Sequence, residues 1–419
     1  MKVLWFVNTP FYGDQLDEHQ SGGRGGWLLN LAGLIRDEFD LSTAFVEPYG
    51  PRERCAGRIN AFAIRPKHWP LRLFLKSFFN YTDIEDVSVN QLYEIIRKVD
   101  PDIIHIHGTE KGFIRLLDPK LDIGVPIITS FQGVMGSLCD ISAPVYDKGF
   151  LNRFWVKGSG ESKLIPPKRL NRATITEYKQ ASREREFTAY AKYVDGRTRF
   201  DRNAAGLLAP NARYFHIDRV LRPAFYDADW DSSALQQCIA ISTMSDSLRK
   251  GFDVVAKATA HISRRVPSFR WQVAGLTSDS MAVRAARKIM GDGYPSDAIE
   301  LLGKLGPDDL ASAISSASVY VQPSYAENSP NSLAEGQLVG APCIATFAGG
   351  TVSYIEHNVN GVLVPTGDAL SMAGAIVALL GDPVAAEHMA MRGKQDAHER
   401  HRPERIKRDL GALYESVLG

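Results

Sequence analysis

Apolar, β-branched runs alternate with helix-period stretches in two separate series along this chain, and that alternation limits its folds more than any other feature. In the first series Val3–Val7, Leu41–Val46, Asp102–His107 and Pro126–Phe131 read as strands. Trp27–Ile35 and Val87–Lys98 read as helices, the first with Leu28, Leu31, Leu34 and Ile35 on one side. Residues 132–175 are rich in Gly, Pro, Ser and Lys and read as irregular, and helical patterns resume at Thr176–Lys192 and Phe200–Leu208. The second series places strands at Cys238–Ser242, Phe269–Ala274, Ile299–Leu302, Val319–Gln322, Pro342–Ala345 and Val362–Val364. Helices fall at Gly251–Ser263, Ala282–Met290, Pro307–Ser315, Pro330–Val339, Asp368–Leu380, Val384–His398 and Pro403–Val417. Such alternation predicts parallel sheets covered by helices. At 419 residues the chain is too long for one core. The expectation is α/β: two Rossmann-like, doubly wound domains over 1–225 and 226–400, facing across a cleft, with a helix over 401–419 that crosses back to the first. A ligand would sit between them near the carboxyl ends of the strands.

The net charge is +1, but residues 1–225 carry +6 and residues 226–419 carry −5. A mildly basic first half suits an anionic partner, yet it falls well short of a nucleic-acid-binding domain, and no nucleic acid is expected. Cys55, Cys139, Cys238 and Cys343 match no zinc or C-x-x-C spacing and read as reduced, mostly buried thiols. No apolar run reaches the ~18 residues of a membrane span, and the N-terminus reads as a strand, not a signal peptide. A cytoplasmic protein is the expectation. Residues 65–81 hold four basic and no acidic residues, with Leu71, Phe74, Leu75 and Phe78 on one helical face. They offer either peripheral contact with the inner membrane face or a helix packed on the first domain. Residues 148–185, with ten basic and three acidic residues, either receive an anionic acceptor or form a solvated loop.

Glu327 follows the strand Val319–Gln322, and Glu335 lies one to two turns into the next helix. A loop between them lets two carboxylates converge, and carboxylates grip sugar hydroxyls through charge-assisted hydrogen bonds. The adjacent helix N-terminus suits a phosphate. Lys250-Gly251 opens the helix after Cys238–Ser242, where a lysine reaches a phosphate as a point charge. Ser21-Gly22-Gly23 precedes the first helix and permits close backbone approach to a ligand, but it is not G-x-G-x-x-G, which argues against a dinucleotide oxidoreductase. His105 and His107 share one strand face. They lack nearby acidic or cysteine partners in sequence, so no metal is expected there. Asp-x-Asp pairs at Asp100/Asp102, Asp227/Asp229 and Asp229/Asp231 read as chance.

The stretch PSYAENSPNSLAEGQLVGAPCIATFAGGTVSYIEHNVNGVLVPTGD resembles the donor-site signature of family 4 glycosyltransferases of the GT-B fold: PS, E-x7-E, G-x-P-x-I/V-A, GG and N-G-x-L-V. The chain supplies Pro323-Ser324, Glu327 and Glu335, Gly340-Ala341-Pro342, Gly349-Gly350 and Asn360-Gly361-Val362-Leu363-Val364, about 45 residues in register. The resemblance implies a retaining hexosyltransferase. Glu327 would hold the donor sugar, Glu335 the nucleotide ribose, amides near Asn331 and Ser332 the diphosphate, and Lys250 its charge. Gly22 and Gly23 would form the glycine loop over donor phosphate and acceptor, and Lys304 would lie near the base. Three positions depart from the family. Pro330 replaces a glycine, Met244 stands where the family has an arginine, with Arg249 as a substitute, and Gln132 replaces a histidine near the sugar. His107 and Gln132 would line the substrate cleft. Residues 196–226 look like a stretch that precedes the interdomain linker in some bacterial members.

The function this implies is transfer of a sugar from a nucleotide diphosphate-sugar, UDP-sugar ahead of GDP-sugar, to a hydroxyl of a glycan or lipid-linked acceptor in bacterial surface-polysaccharide assembly. No cofactor and no obligatory metal are implied. The alternatives are a nucleotide-sugar epimerase of the same fold and a non-catalytic sugar-nucleotide binding subunit.

Overall fold

The computed structural model describes residues 1–12, 26–47, 52–56, 58–66, 87–145 and 167–419. They divide between two compact units: Met1–Asp140, Asn171–Leu221 and His401–Gly419 form the first, and Ile141–Leu170 with Arg222–Arg400 the second. The division falls at Leu221/Arg222 rather than after residue 225.

The first unit holds an eight-stranded sheet in the order β3-β4-β2-β1-β5-β6-β7-β8. Its strands are β1 (Lys2–Val7), β2 (Asp40–Val46), β3 (Glu53–Ala56), β4 (Ile59–Ile64), β5 (Ile103–His107), β6 (Ile127–Ser130), β7 (Tyr193–Gly196) and β8 (Arg213–His216). All pairs are parallel except β3 with β4. Helices α1 (Gly26–Ile35), α2 (Val89–Val99), α3 (Met135–Val145), α4 (Pro167–Thr188) and α5 (Arg199–Leu208) connect them, although the end of α3 from Ile141 and the start of α4 to Leu170 fall in the second unit. Strand β1 is buried on both faces, which is why it reads as a continuous apolar run. Val3, Trp5 and Val7 join one cluster with α1, whereas Leu4 and Phe6 join another with α2. Chain order reverses between β1 and β5, so the crevice of this sheet opens there.

The second unit holds a six-stranded parallel sheet, order β11-β10-β9-β12-β13-β14. Its strands are β9 (Ile239–Thr243), β10 (Arg270–Ala274), β11 (Ile299–Gly303), β12 (Val319–Gln322), β13 (Cys343–Thr346) and β14 (Val362–Val364). The helices are α6 (Ala224–Asp227), α7 (Phe252–Ser263), α8 (Met281–Met290), α9 (Pro307–Ser316), α10 (Asn331–Val339), α11 (Ala369–Gly381) and α12 (Pro383–Arg400). Here the order reverses between β9 and β12. The last helix, α13 (Pro403–Leu418), belongs to the first unit, where Ile406, Leu410, Leu413 and Tyr414 enter the β1/α1 cluster.

Several expectations are corrected. The stretch read as irregular contains α3 and the start of α4. Strands β3, β4, β7 and β8 were not legible. Pro330 is the N-cap of α10, in extended conformation, and not its first helical residue. Cys238 is a left-handed cap rather than a strand residue. All four thiols are free, and only Cys139 and Cys343 are buried. Residues 67–81, which carry most of the basic, apolar face, lie outside the described residues. Among the described residues no single helix is long and apolar enough to cross a membrane.

Candidate functional site

In an open parallel sheet, ligands bind where the strand order reverses, at the carboxyl ends. In the second unit that point lies between β9 and β12, and three of the sequence-predicted residues are built around it. After β9 the chain makes a 3-10 turn, Leu248–Lys250, and Gly251 then takes a left-handed conformation with φ of 76° before α7. Lys250 therefore sits in the turn before the helix rather than on it. A Cβ on Gly251 would stand 2.1 Å from the carbonyl oxygen of Pro323, so only glycine lets this turn press against the loop after β12.

That loop is held from several directions. The Tyr325 amide donates to the Arg249 carbonyl at 2.7 Å, and the Tyr325 hydroxyl donates to Asp253 at 2.9 Å. Gly350 N–H donates to the Glu327 carbonyl at 3.0 Å, with Gly349 at φ 48° where a side chain would strike the same oxygen. So fixed, Glu327 accepts a hydrogen bond from Lys250 Nζ at 2.6 Å, its side chain 9% exposed and that of Lys250 29%.

Glu335 lies in the second turn of α10 and is also paired. Arg222 donates from Nε and Nη2 to Oε1 and Oε2, each at 2.8 Å. The Glu335 side chain is 7% exposed, and the Arg222 guanidinium stands 4.5 Å from the centre of the fully buried Phe225 ring. Asn331 and Ser332 open α10, where the first amides have no acceptor within the helix. Pro330 supplies none, but its carbonyl accepts from Ala334 at 3.1 Å.

Other predicted residues stand apart from this group. Lys304 is exposed after β11, two strands away from β9. Met244 is buried in the core of the unit, so its position turns inward and brings no cation to the site. Arg249 is half-buried in the turn beside Lys250. Gly22 and Gly23 lie outside the described residues. The Asp-x-Asp carboxylates have structural partners: Asp102 accepts from Lys2 N at 2.8 Å, Asp229 pairs with Lys394 and Asp231 accepts from Ser233 N at 2.8 Å.

In the first unit, His107 ends β5 at the sheet's reversal point but is only 3% exposed. Its ring stacks on His105 at 3.9 Å and meets Trp5 and Trp27 edge-on, while Nε2 has no hydrogen-bond partner. Burial, then the neighbouring His105, Arg219 and Arg197, hold its pKa well below 6.5, so the ring is neutral at physiological pH. Gln132 follows β6 and is half-buried, with Nε2 also unpartnered. His105 is a structural hub. Nδ1 lies 2.9 Å from the Tyr414 hydroxyl, and Nε2 lies 2.7 Å from Ser130 Oγ and 3.0 Å from Asp195. Burial pushes the Asp195 carboxyl up, but His105, a hydrogen bond from Ser130 and the charge of Arg197 outweigh it and hold it below 3.8.

Sequence reasoning missed Arg222. It sits 113 positions from Glu335, and its one signal is an Arg-Pro-Ala-Phe run that lets the guanidinium fold over the aromatic ring.

The fold of the chain is that of GT-B glycosyltransferases, two Rossmann-like parallel-sheet domains. Sucrose-phosphate synthase from Thermosynechococcus elongatus superposes with a TM-score of 0.70 at 14% identity, covering 100% of this chain and 99% of that one. Anabaena HepE in complex with UDP superposes with a TM-score of 0.65 at 14% identity, covering 99% and 100%. Residues 236–382, which contain Lys250, Glu327 and Glu335, match the family model "Glycosyl transferases group 1". A D-inositol 3-phosphate glycosyltransferase of Pseudarthrobacter chlorophenolicus is 32% identical over 142 residues, 33% of this chain and 34% of that protein. The amylovoran biosynthesis glycosyltransferase AmsK of Erwinia amylovora is 26% identical over 137 residues, 31% and 33% of the two chains. The chain thus spans about a third of the length of these curated relatives.

Proposed function

We propose that this protein is a retaining glycosyltransferase of the family 4 type that moves a sugar from a nucleotide diphosphate-sugar to an acceptor hydroxyl. The observation that carries the reading is the meeting of Lys250 and Glu327 at the reversal point of the second sheet, with Glu335 and the N-terminus of α10 on the adjoining helix. The family-model match over these residues and the UDP bound to Anabaena HepE support it.

In this reading the donor opens the Lys250–Glu327 pair. The ammonium turns to the diphosphate and the carboxylate to the sugar hydroxyls. Lys250 and the first amides of α10 then stabilise charge as it develops on the departing diphosphate. The sugar is held for attack from the face the diphosphate leaves, and that diphosphate takes the acceptor proton. Such a step needs no side-chain base, which accommodates glutamine at position 132. The donor is a UDP-sugar ahead of a GDP-sugar, the acceptor a glycan or lipid-linked glycan, and no obligatory metal takes part. Work in the cytoplasm on a bacterial surface polysaccharide, with peripheral contact at the inner membrane through 65–81, fits the basic first half.

The test is a thermal-shift screen against UDP, GDP, ADP, CMP and their sugar conjugates, with and without EDTA. A ligand at 100 times its Kd adds about 2.7 kcal/mol of stability by mass action. The expected result is a shift with one nucleotide series, indifferent to EDTA and lost in Glu335→Ala. No shift with any nucleotide would remove the donor-site assignment.

A further inference from the structure

We propose that Arg222 is a positioning residue: it fixes the Glu335 carboxylate for the ribose hydroxyls of a nucleoside diphosphate, and so sets how strongly the second unit prefers a ribonucleotide over one lacking those hydroxyls. The inference rests on the donor-site reading above.

The two carboxylates of the site are held in different ways. Lys250 gives Glu327 one hydrogen bond from a flexible stem, and the pair can part when a ligand arrives. Arg222 grips both oxygens of Glu335 in a planar fork, which fixes the carboxylate plane as well as its place. The arginine is itself held. Its guanidinium lies over Phe225. Its carbonyl accepts from Phe225 N at 3.2 Å, and Trp230 N, a little further on, donates to the Val339 carbonyl at 3.0 Å. That last bond ties the segment to the far end of α10, the helix that carries Glu335.

An ionised carboxylate offers about four lone-pair sites. The fork takes one on each oxygen and leaves one on each. A ribose hydroxyl accepted there meets a carboxylate already aimed, with no rotamer freedom left to lose on binding. Removing Arg222 would leave a buried acid without its cation, free to turn to other donors. Lysine would restore the charge but not the plane.

The test is calorimetric titration of wild type, Arg222→Met, Arg222→Lys and Glu335→Gln with UDP, GDP and ADP and with their 2′,3′-dideoxy forms. For the nucleotide that wild type binds, the ribo form should be preferred by roughly 10-fold or more, as for hydrogen bonds to a charged group. Glu335→Gln and Arg222→Met should each bring that ratio to within about 3-fold of unity, with Arg222→Lys between them and wild type. Turnover of Arg222→Lys should show a raised donor KM with kcat nearly kept, the sign of lost uniform binding. If Arg222→Met does not fold, the lysine variant carries the test alone: a ratio at least ~3-fold smaller than wild type supports the proposal, and an unchanged ratio overturns it. Tighter binding of the ribo form by Arg222→Met would also overturn it, since the arginine would then block the site. If wild type binds no nucleotide, or Glu335→Gln keeps the full ratio, the donor-site reading itself fails and takes the proposal with it.

Discussion

The carboxyl ends of the two sheets both carry bonded polar residues, but of different types and in different arrangements. In the first unit His105, Ser130, Asp195 and Tyr414 are joined in one buried network whose polar atoms face each other. Trp5 Nε1 donates to the same Tyr414 hydroxyl at 2.9 Å, so strands β1, β5, β6 and β7 are bound to α13. In the second unit the acids are paired with cations that keep partial exposure, 29% for Lys250 and 24% for Arg222. A closed network gives rigidity and offers little to a ligand. The Lys250–Glu327 pair can exchange partners for a phosphate or a hydroxyl, whereas the Arg222 fork stays in place and leaves one lone pair free on each oxygen of Glu335. The difference teaches that polar residues at a strand end are open to a ligand when a partner can be exchanged or a lone pair is left free, and closed to one when every partner is internal.

Substitution in the second unit should therefore strike turnover hardest. On the proposed reading, Glu327→Ala should lower transfer by ~10²-fold or more while the nucleotide Kd stays within about 3-fold, because the sugar and not the nucleotide would lose its contact. Lys250→Ala should lower kcat by ~10²–10³-fold, as for loss of one preorganised donor to a developing anion. Steady-state kinetics beside calorimetric nucleotide binding check both. Equal losses of binding and turnover in Glu327→Ala would erase the contrast between the sugar and nucleotide ends of the site.

The first unit should answer in stability instead. Tyr414→Phe removes the oxygen shared by Trp5 and His105 and leaves two buried nitrogens short of a partner. The cost should be about 1–3 kcal/mol, read from urea unfolding, with nucleotide Kd unchanged. Loss of nucleotide binding in this variant, with the protein still folded, would show that the network serves the ligand.

The contrast also explains how much of the molecule was legible. The second sheet announced itself because strands such as β12 and β13 are buried on both faces and read as apolar runs. In the first sheet β7 is Tyr-Val-Asp-Gly and carries the network's acid, so its polarity hides it. Strands β3 and β8 have exposed residues and the short length of sheet edges, which also removes periodicity. The irregular reading of 132–175 failed because α3 is rich in Gly, Ser and Pro and is held in part from outside. Glu184 on α4 accepts from Gly136 N at 3.2 Å and bonds Thr109. Within the candidate site, Lys250, Glu327 and Glu335 were picked out by the donor-site resemblance together with their places after strands. Arg222 was not, because its pairing is made only by the fold.

The smallest effect isolates one group. His107 is buried neutral, with its pKa below 6.5 in the folded chain. Between that lowered value and 6.5 the unfolded chain binds a proton that the folded chain refuses. Stability therefore rises with pH through this window and is lost as pH falls below 6.5, by up to about 1.4 kcal/mol per pH unit. Glu184 has the opposite sign: burial raises its pKa above 4.5, so it lowers stability as pH rises through the window above that value. Asp195, held below 3.8, contributes stability above that pH which is lost only in stronger acid. His107→Phe keeps an aromatic ring against Trp5 and Trp27 and leaves both acids in place. Urea midpoints of wild type and variant, measured from pH 7.5 down to 5, should converge or cross as pH falls, since the variant lacks this loss. Parallel curves would mean that His107 takes up its proton in the folded state, and the first unit would then hold an exchangeable group of the kind found in the second.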